Sequence, residues 1–117
     1  MGRRSKRVAP SFPNDENGQV LRRMFEQGDN LSKPRIVDFC FAFADRSQAL
    51  EFASLVEERD LEVCISFYEE RDVWQAIVKP YMVPTHVDIT RLELSLTKRA
   101  VSAGGEADGW GCMQVDS

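Results

Sequence analysis

A chain of 117 residues with 15 Lys and Arg against 19 Asp and Glu, a net charge of −4, and 43% hydrophobic residues has the make-up of an ordinary folded protein and not of an apolar-poor disordered one. Its length provides for one domain core and not two, since domains commonly hold on the order of 100 to 150 residues. No apolar run reaches the roughly 18 residues needed to cross a bilayer, and Met1 to Val8 lacks the apolar stretch of a secretory signal, so a cytoplasmic address is expected.

Residues 1–12 read as a basic tail, a solvated and disordered leader to a domain over 13–117. Arg3, Arg4, Lys6 and Arg7 hold four positive charges, and without them the net −4 becomes −8 on the rest of the chain. A body that acidic repels phosphate backbones and attracts basic partners, which disfavours direct nucleic-acid binding by the folded domain. Past Pro13, Asn14 or Asp15 caps a helix with Val20, Leu21, Met24 and Phe25 on one face, and Gly28 stops it. From Pro34 the period becomes two: Val37, Phe39, Phe41 and Phe43 point one way, Asp38, Cys40, Ala42 and Ala44 the other, as in a strand.

Asp45 and Gln48 form a variant capping box for a second helix, with Ala49, Phe52, Ala53 and Val56 inward and an end near Asp60. Val63 to Tyr68 alternates, Glu69 to Asp72 turns the chain, and Val73 to Val83 runs apolar again, which predicts a β-hairpin. Pro80 in that second arm removes a ladder bond and signals a bulge or a strand end. Thr85, with Asp88 three residues on, opens a third helix with Ile89, Leu92, Leu96 and Ala100 inward, and Gly104 and Gly105 terminate it. The last segment, Gly109 to Val115, reads as a short glycine-broken edge strand.

After an additional N-terminal helix, this order is β-α-β-β-α-β, an α+β, ferredoxin-like antiparallel sheet with both helices on one face. The other face then shows Asp38, Cys40, Ser66, Tyr68, Gln75, Lys79 and Tyr81, a mixed polar and aromatic surface suited to a partner or to a homodimer. In that strand order Cys40 and Cys64 stand two strand spacings apart, about 9.6 Å, too far for a disulfide.

Catalytic chemistry has little to rest on. Three widely spaced cysteines and one histidine make neither a disulfide framework nor a zinc site, so no metal and no cofactor is expected. His86 at a helix start, and the pairs Glu57-Glu58 and Glu69-Glu70, read first as solvated polar groups. Gly104 to Gly111 lacks the lysine of a phosphate loop, and Gly109 and Gly111 give Trp110 room to pack inward. RNA-recognition domains share the element order, but Val73 to Val83 lacks their basic, glycine-and-aromatic signature.

Three short motifs occur in order: Asp15-x-x-Gly18 opening the first helix, Val83-Pro84-Thr85-His86 entering the third, and Asp108-Gly109-Trp110-Gly111 after it. With them, the segment from about Asn14 to Gln114 resembles the regulator of ribonuclease activity B family, also called ribonuclease E inhibitor proteins. The resemblance implies a ferredoxin-like fold and a non-enzymatic role, in which the protein binds the endoribonuclease that initiates messenger RNA decay and lowers its activity. Unlike the pattern associated with the inhibitor itself, this chain has no long acidic C-terminal tail and ends at Ser117. The leading expectation is a protein-binding regulator using Glu57, Glu58, Glu69 and Glu70, the sheet face of Tyr68, Gln75 and Tyr81, and Asp108 and Trp110. The alternatives are an RNA-binding module and a small-molecule sensing domain of the same fold.

Overall fold

The computed structural model describes residues 11–116. The basic tail expected over 1–12 lies outside them except for Ser11 and Phe12, and the Phe12 ring packs on Phe25 with centroids 6.0 Å apart. Helix α1 spans Glu16–Glu26 because Asp15 caps it, its carboxylate accepting from Gly18 N at 2.8 Å. It ends where Gly28 takes a φ of +97°, and Gly28 N and Asp29 N bond back to Phe25 O and Met24 O. Helix α2, Arg46–Glu57, starts on the Asp45 carboxylate, which accepts from Gln48 N at 3.1 Å. The return half of the expected capping box is missing: the Gln48 amide lies against Gly104, and its buried Oε1 has no hydrogen-bond partner among the described residues. Helix α3, His86–Ser102, is capped by Thr85, whose hydroxyl accepts from Asp88 N. It closes at Gly104, where Gly104 N and Gly105 N bond Val101 O and Ala100 O.

Strand β1, Arg35–Phe43, is the centre of an antiparallel sheet. Strand β3, Val73–Val78, pairs one edge of β1 (Phe39 to Val78, Phe41 to Ala76), and β2, Val63–Tyr68, pairs the far edge of β3 (Val63 to Val78, Phe67 to Trp74). The expected continuous arm Val73 to Val83 is corrected: β3 stops at Val78, Lys79 and Pro80 interrupt it, and Tyr81–Met82 resume as β4. Proline has no N–H to give, but its carbonyl still accepts from Val37 N at 2.9 Å. That bond keeps β4 in the β3 register on β1, with Ile36 opposite Tyr81. The last strand is also corrected: β5 begins at Glu106 and runs to Cys112 along the other edge of β1, because the glycine pair releases the chain straight into it.

The side of β1 carrying Val37, Phe39, Phe41 and Phe43 is fully buried against Ala49, Phe52 and Val56 of α2 and Ile89, Leu96 and Ala100 of α3. Phe52 sits between Phe41 and Phe43, with ring centroids 4.9 and 5.3 Å away. Burying each such side chain stabilises the fold by about 1.5–3 kcal/mol.

Arg35 falls on that same buried side at the strand's start, a position the sequence pattern did not flag. Its guanidinium lies 2.8 Å from both carboxylate oxygens of Asp29 and also donates to the carbonyls of Asn30, Lys33 and Met113. Asp29 in turn accepts from Val115 N, so one buried ion pair ties the α1–β1 loop and residues 113–116 to the sheet.

Candidate functional site

The three motif segments, far apart in sequence, meet at one place between α1, α3 and β5. His86 Nε2 lies 3.0 Å from the Asp15 carboxylate. Asn17 donates from its amide nitrogen to Thr90 Oγ1 at 3.2 Å and to Glu93 Oε1 at 3.1 Å, and its oxygen accepts from Trp110 Nε1 at 2.9 Å. Because an indole N–H can only donate, Trp110 fixes which way the Asn17 amide faces. The Asp15 carboxyl is held below its ordinary value of 3.8, first by the hydrogen bond from Gly18 N and then by His86.

The backbone explains why these residue types are needed. A Cβ at Gly18 would stand 1.9 Å from the carbonyl oxygen of Pro13, so only glycine lets the segment before the helix fold back across its first turn. In β5 the register slips between Phe39, opposite Trp110, and Phe41, opposite Ala107, which leaves Asp108 and Gly109 together facing Cys40. Gly109 takes a φ of +94° in this bulge. The bulge puts Trp110 on the helix-covered side of the sheet and leaves Asp108 free to meet Arg71 at 2.8 Å.

Beside this network opens a cleft of about 470 Å³ lined by Glu16, Asn17, Val20, Glu93, Asp108 and Trp110. Three carboxylates around an aromatic wall and a fixed amide make a place for a cation or a hydrogen-bond donor. The geometry is not that of a catalytic relay. Asp15 and Thr90 both approach the same nitrogen of His86, whereas a relay needs the orienting acid and the hydroxyl on opposite ring nitrogens. Among the described residues no group of three or more His, Cys, Asp or Glu is placed to hold a metal, and no helix is long and apolar enough to cross a membrane.

The residues expected to bind a partner divide among several places. Tyr68, Glu69, Glu70 and Gln75 gather at the β2–β3 end of the open sheet face, where the Tyr68 hydroxyl lies 2.9 Å from Glu70 Oε1. Arg71 of the same turn reaches Asp108. Tyr81, 71% exposed, stands beside Ile36 at the opposite end of that face. Between them Lys79 and Asp38 pair at 3.2 Å, and that bond raises the Lys79 pKa. Glu57 and Glu58 close α2, apart from both clusters, and Trp110 serves the cleft and not the open face. Glu16, Asn17 and Glu93 were missed, since their roles depend on Trp110 and Thr90, more than 70 residues away from Asn17.

A model of the family described as regulator of ribonuclease activity B matches residues 14–112, and the chain belongs to that family. The comparison with curated proteins finds no match.

Proposed function

We propose that this chain is a non-enzymatic, cytoplasmic regulator that binds an endoribonuclease of the E type and lowers its activity through protein–protein contact. The observation that carries the reading is the linking of the three motif segments, His86 to Asp15 and Trp110 to Asn17, beside a cleft whose rim is acidic, within a family of ribonuclease regulators. With −8 left on the chain once the charges of the first seven residues are set aside, an arginine-rich surface of a nuclease is attracted both over distance and at the cleft itself. The domain extends over 13–117, and the order β2-β3-β1, with β5 beyond β1, supports reading it as ferredoxin-like. Asp108 and Trp110 contribute at the cleft, Tyr68, Glu69, Glu70 and Gln75 offer a second contact on the open sheet face, and Glu57, Glu58 and Tyr81 stand apart from both as outlying contacts.

The test titrates the chain into a purified full-length ribonuclease E and follows cleavage of a fluorogenic RNA. Inhibition that weakens on adding salt, and that is lost when Glu16 and Glu93 are changed to lysine, supports the reading. Charge reversal at Glu57, Glu58, Glu69 and Glu70 is expected to weaken it further. Unchanged cleavage at saturating protein sinks it, as does tight binding to RNA alone that persists without residues 1–8.

A further inference from the structure

On the other flank of α3, turned away from the acidic cleft, two hollows of about 380 and 230 Å³ abut and share Arg59, Leu92 and Ser95. Leu61, Met82 and Leu92 give them an apolar floor, and three guanidinium groups rim them: Arg59 from the end of α2, and Arg91 and Arg99 from α3. Asp88 is the one carboxylate lining either hollow among the described residues. Arg59 and Arg91 are exposed and pair with no carboxylate among the described residues. Arg99 is steadied by its own helix, donating to Ser95 O at 3.0 Å and to Ser95 Oγ at 2.7 Å. A concentration of unpaired cations around an apolar trough, on a chain whose remaining charge is −8, attracts a ligand of opposite sign to the one the cleft attracts.

The spacing says what kind of ligand. Arg91 and Arg99 are eight residues apart on one helix, which at 1.5 Å per residue is about 12 Å. That separation favours a ligand with two anionic groups over a single phosphate or carboxylate. An extended peptide rises about 3.3 Å per residue, so carboxylates four residues apart match the two ends and put the side chain midway over the junction of the two hollows, which Leu92 and Ser95 line. A long polyanion such as RNA meets the acidic body as soon as it leaves the trough, whereas a short acidic segment does not. We infer that this trough is a docking site for an extended acidic peptide segment of another protein, with two carboxylates about four residues apart and an apolar side chain between them. It is separate from the nuclease-binding reading and does not depend on it.

The probe is a fluorescein-labelled peptide, Gly-Glu-Gly-Leu-Gly-Glu-Gly, added to the full chain and followed by anisotropy, with a second peptide carrying glutamine for both glutamates. Saturable binding to the first peptide, weakened at least about tenfold both by the glutamine peptide and by Arg59→Glu with Arg91→Glu, is the expected result. Arg22→Glu on the exposed side of α1 changes the net charge equally per site and is expected to leave binding as it is. Both arginines of the double variant are exposed, and circular dichroism checks that it stays folded. The inference is overturned by no anisotropy change up to about 1 mM peptide, by equal binding of the two peptides, by a double variant that binds like the parent, or by a single-stranded oligouridine that occupies the arginines in place of the peptide.

Discussion

Replacing Gly18 with alanine sets two effects of opposite sign against each other, and the structure says which wins. Gly18 is inside α1, where alanine is the better helix former by about 0.8–1 kcal/mol. The added Cβ, however, would lie 1.9 Å from Pro13 O and 2.8 Å from Pro13 C, both backbone atoms, and 3.1 Å from the Asp15 carboxylate that caps the helix. Relief requires the Pro13 carbonyl to retreat by more than an ångström, which pulls on the capping residue two positions later. Overpacking of that kind costs about 1–3 kcal/mol and loss of the cap about 1 kcal/mol more, so the net expectation is a destabilisation of about 1–3 kcal/mol. Urea unfolding followed by far-ultraviolet circular dichroism measures it. The same variant is expected to weaken partner binding, because Asp15, Glu16 and Asn17 move with that turn. Gly111→Ala provides the contrast: nothing lies within 4 Å of its added Cβ and its φ is not positive, so it is expected to be neutral or slightly stabilising. A Gly18→Ala variant as stable as the parent would refute the placement of Pro13 against the helix.

Other perturbations test other parts of the fold. Arg35→Met leaves the Asp29 carboxylate buried without its counter-ion and is expected to cost about 3–5 kcal/mol, read as a drop in Tm of well over 10 °C for a domain of this size; adding Asp29→Asn should recover part of that loss. Asp15 has a folded pKa below its ordinary 3.8, so the stability it lends is in place above that value and lost as pH falls through the folded one. Asp15→Asn keeps a capping oxygen without the titration and is expected to flatten the acid side of a Tm-against-pH profile. Burial pushes the thiols of Cys40 and Cys112 up, whereas Cys64 is exposed. Iodoacetamide at neutral pH is therefore expected to modify Cys64 first, as mass spectrometry of the intact protein would report.

Much of the architecture was legible because its signals are local. The period-two run from Val37 to Phe43 needed only its own residues to declare a strand with one buried face, and all three N-caps lay at a Ser/Thr/Asp-type residue followed three positions later by the accepted N–H. What escaped was non-local. Arg35 was unremarkable until Asp29, Met113 and Val115 were seen around it. Asn17 became a site residue only through Trp110 and Glu93, and the start of β5 at Glu106 was hidden because Glu106 to Asp108 read as part of a glycine-rich loop. Pro80 was a partial success: its missing donor marked the break in the arm, but the recovery of register at Tyr81 depends on β1 continuing past it.

The two proposed contacts lie on opposite flanks of α3 and have opposite sign, which bears on how they would act together. Glu93 faces the cleft under Trp110, while Arg91 and Arg99, two positions before it and six after, turn to the trough. A basic partner held in the cleft therefore cannot also fill the trough, and an acidic one in the trough is repelled from the cleft. Both ligands on one helix would be coupled only through its position, since the sites share no lining residue. That gives a measurable consequence: if α3 is held firmly by Ile89, Leu96 and Ala100 in the core, saturating one site should leave the Kd at the other within about twofold. A larger shift would mean that the helix moves as a unit, and Ile89→Ala, which loosens it from within the core and lines neither site, should then change the coupling more than it changes either affinity alone.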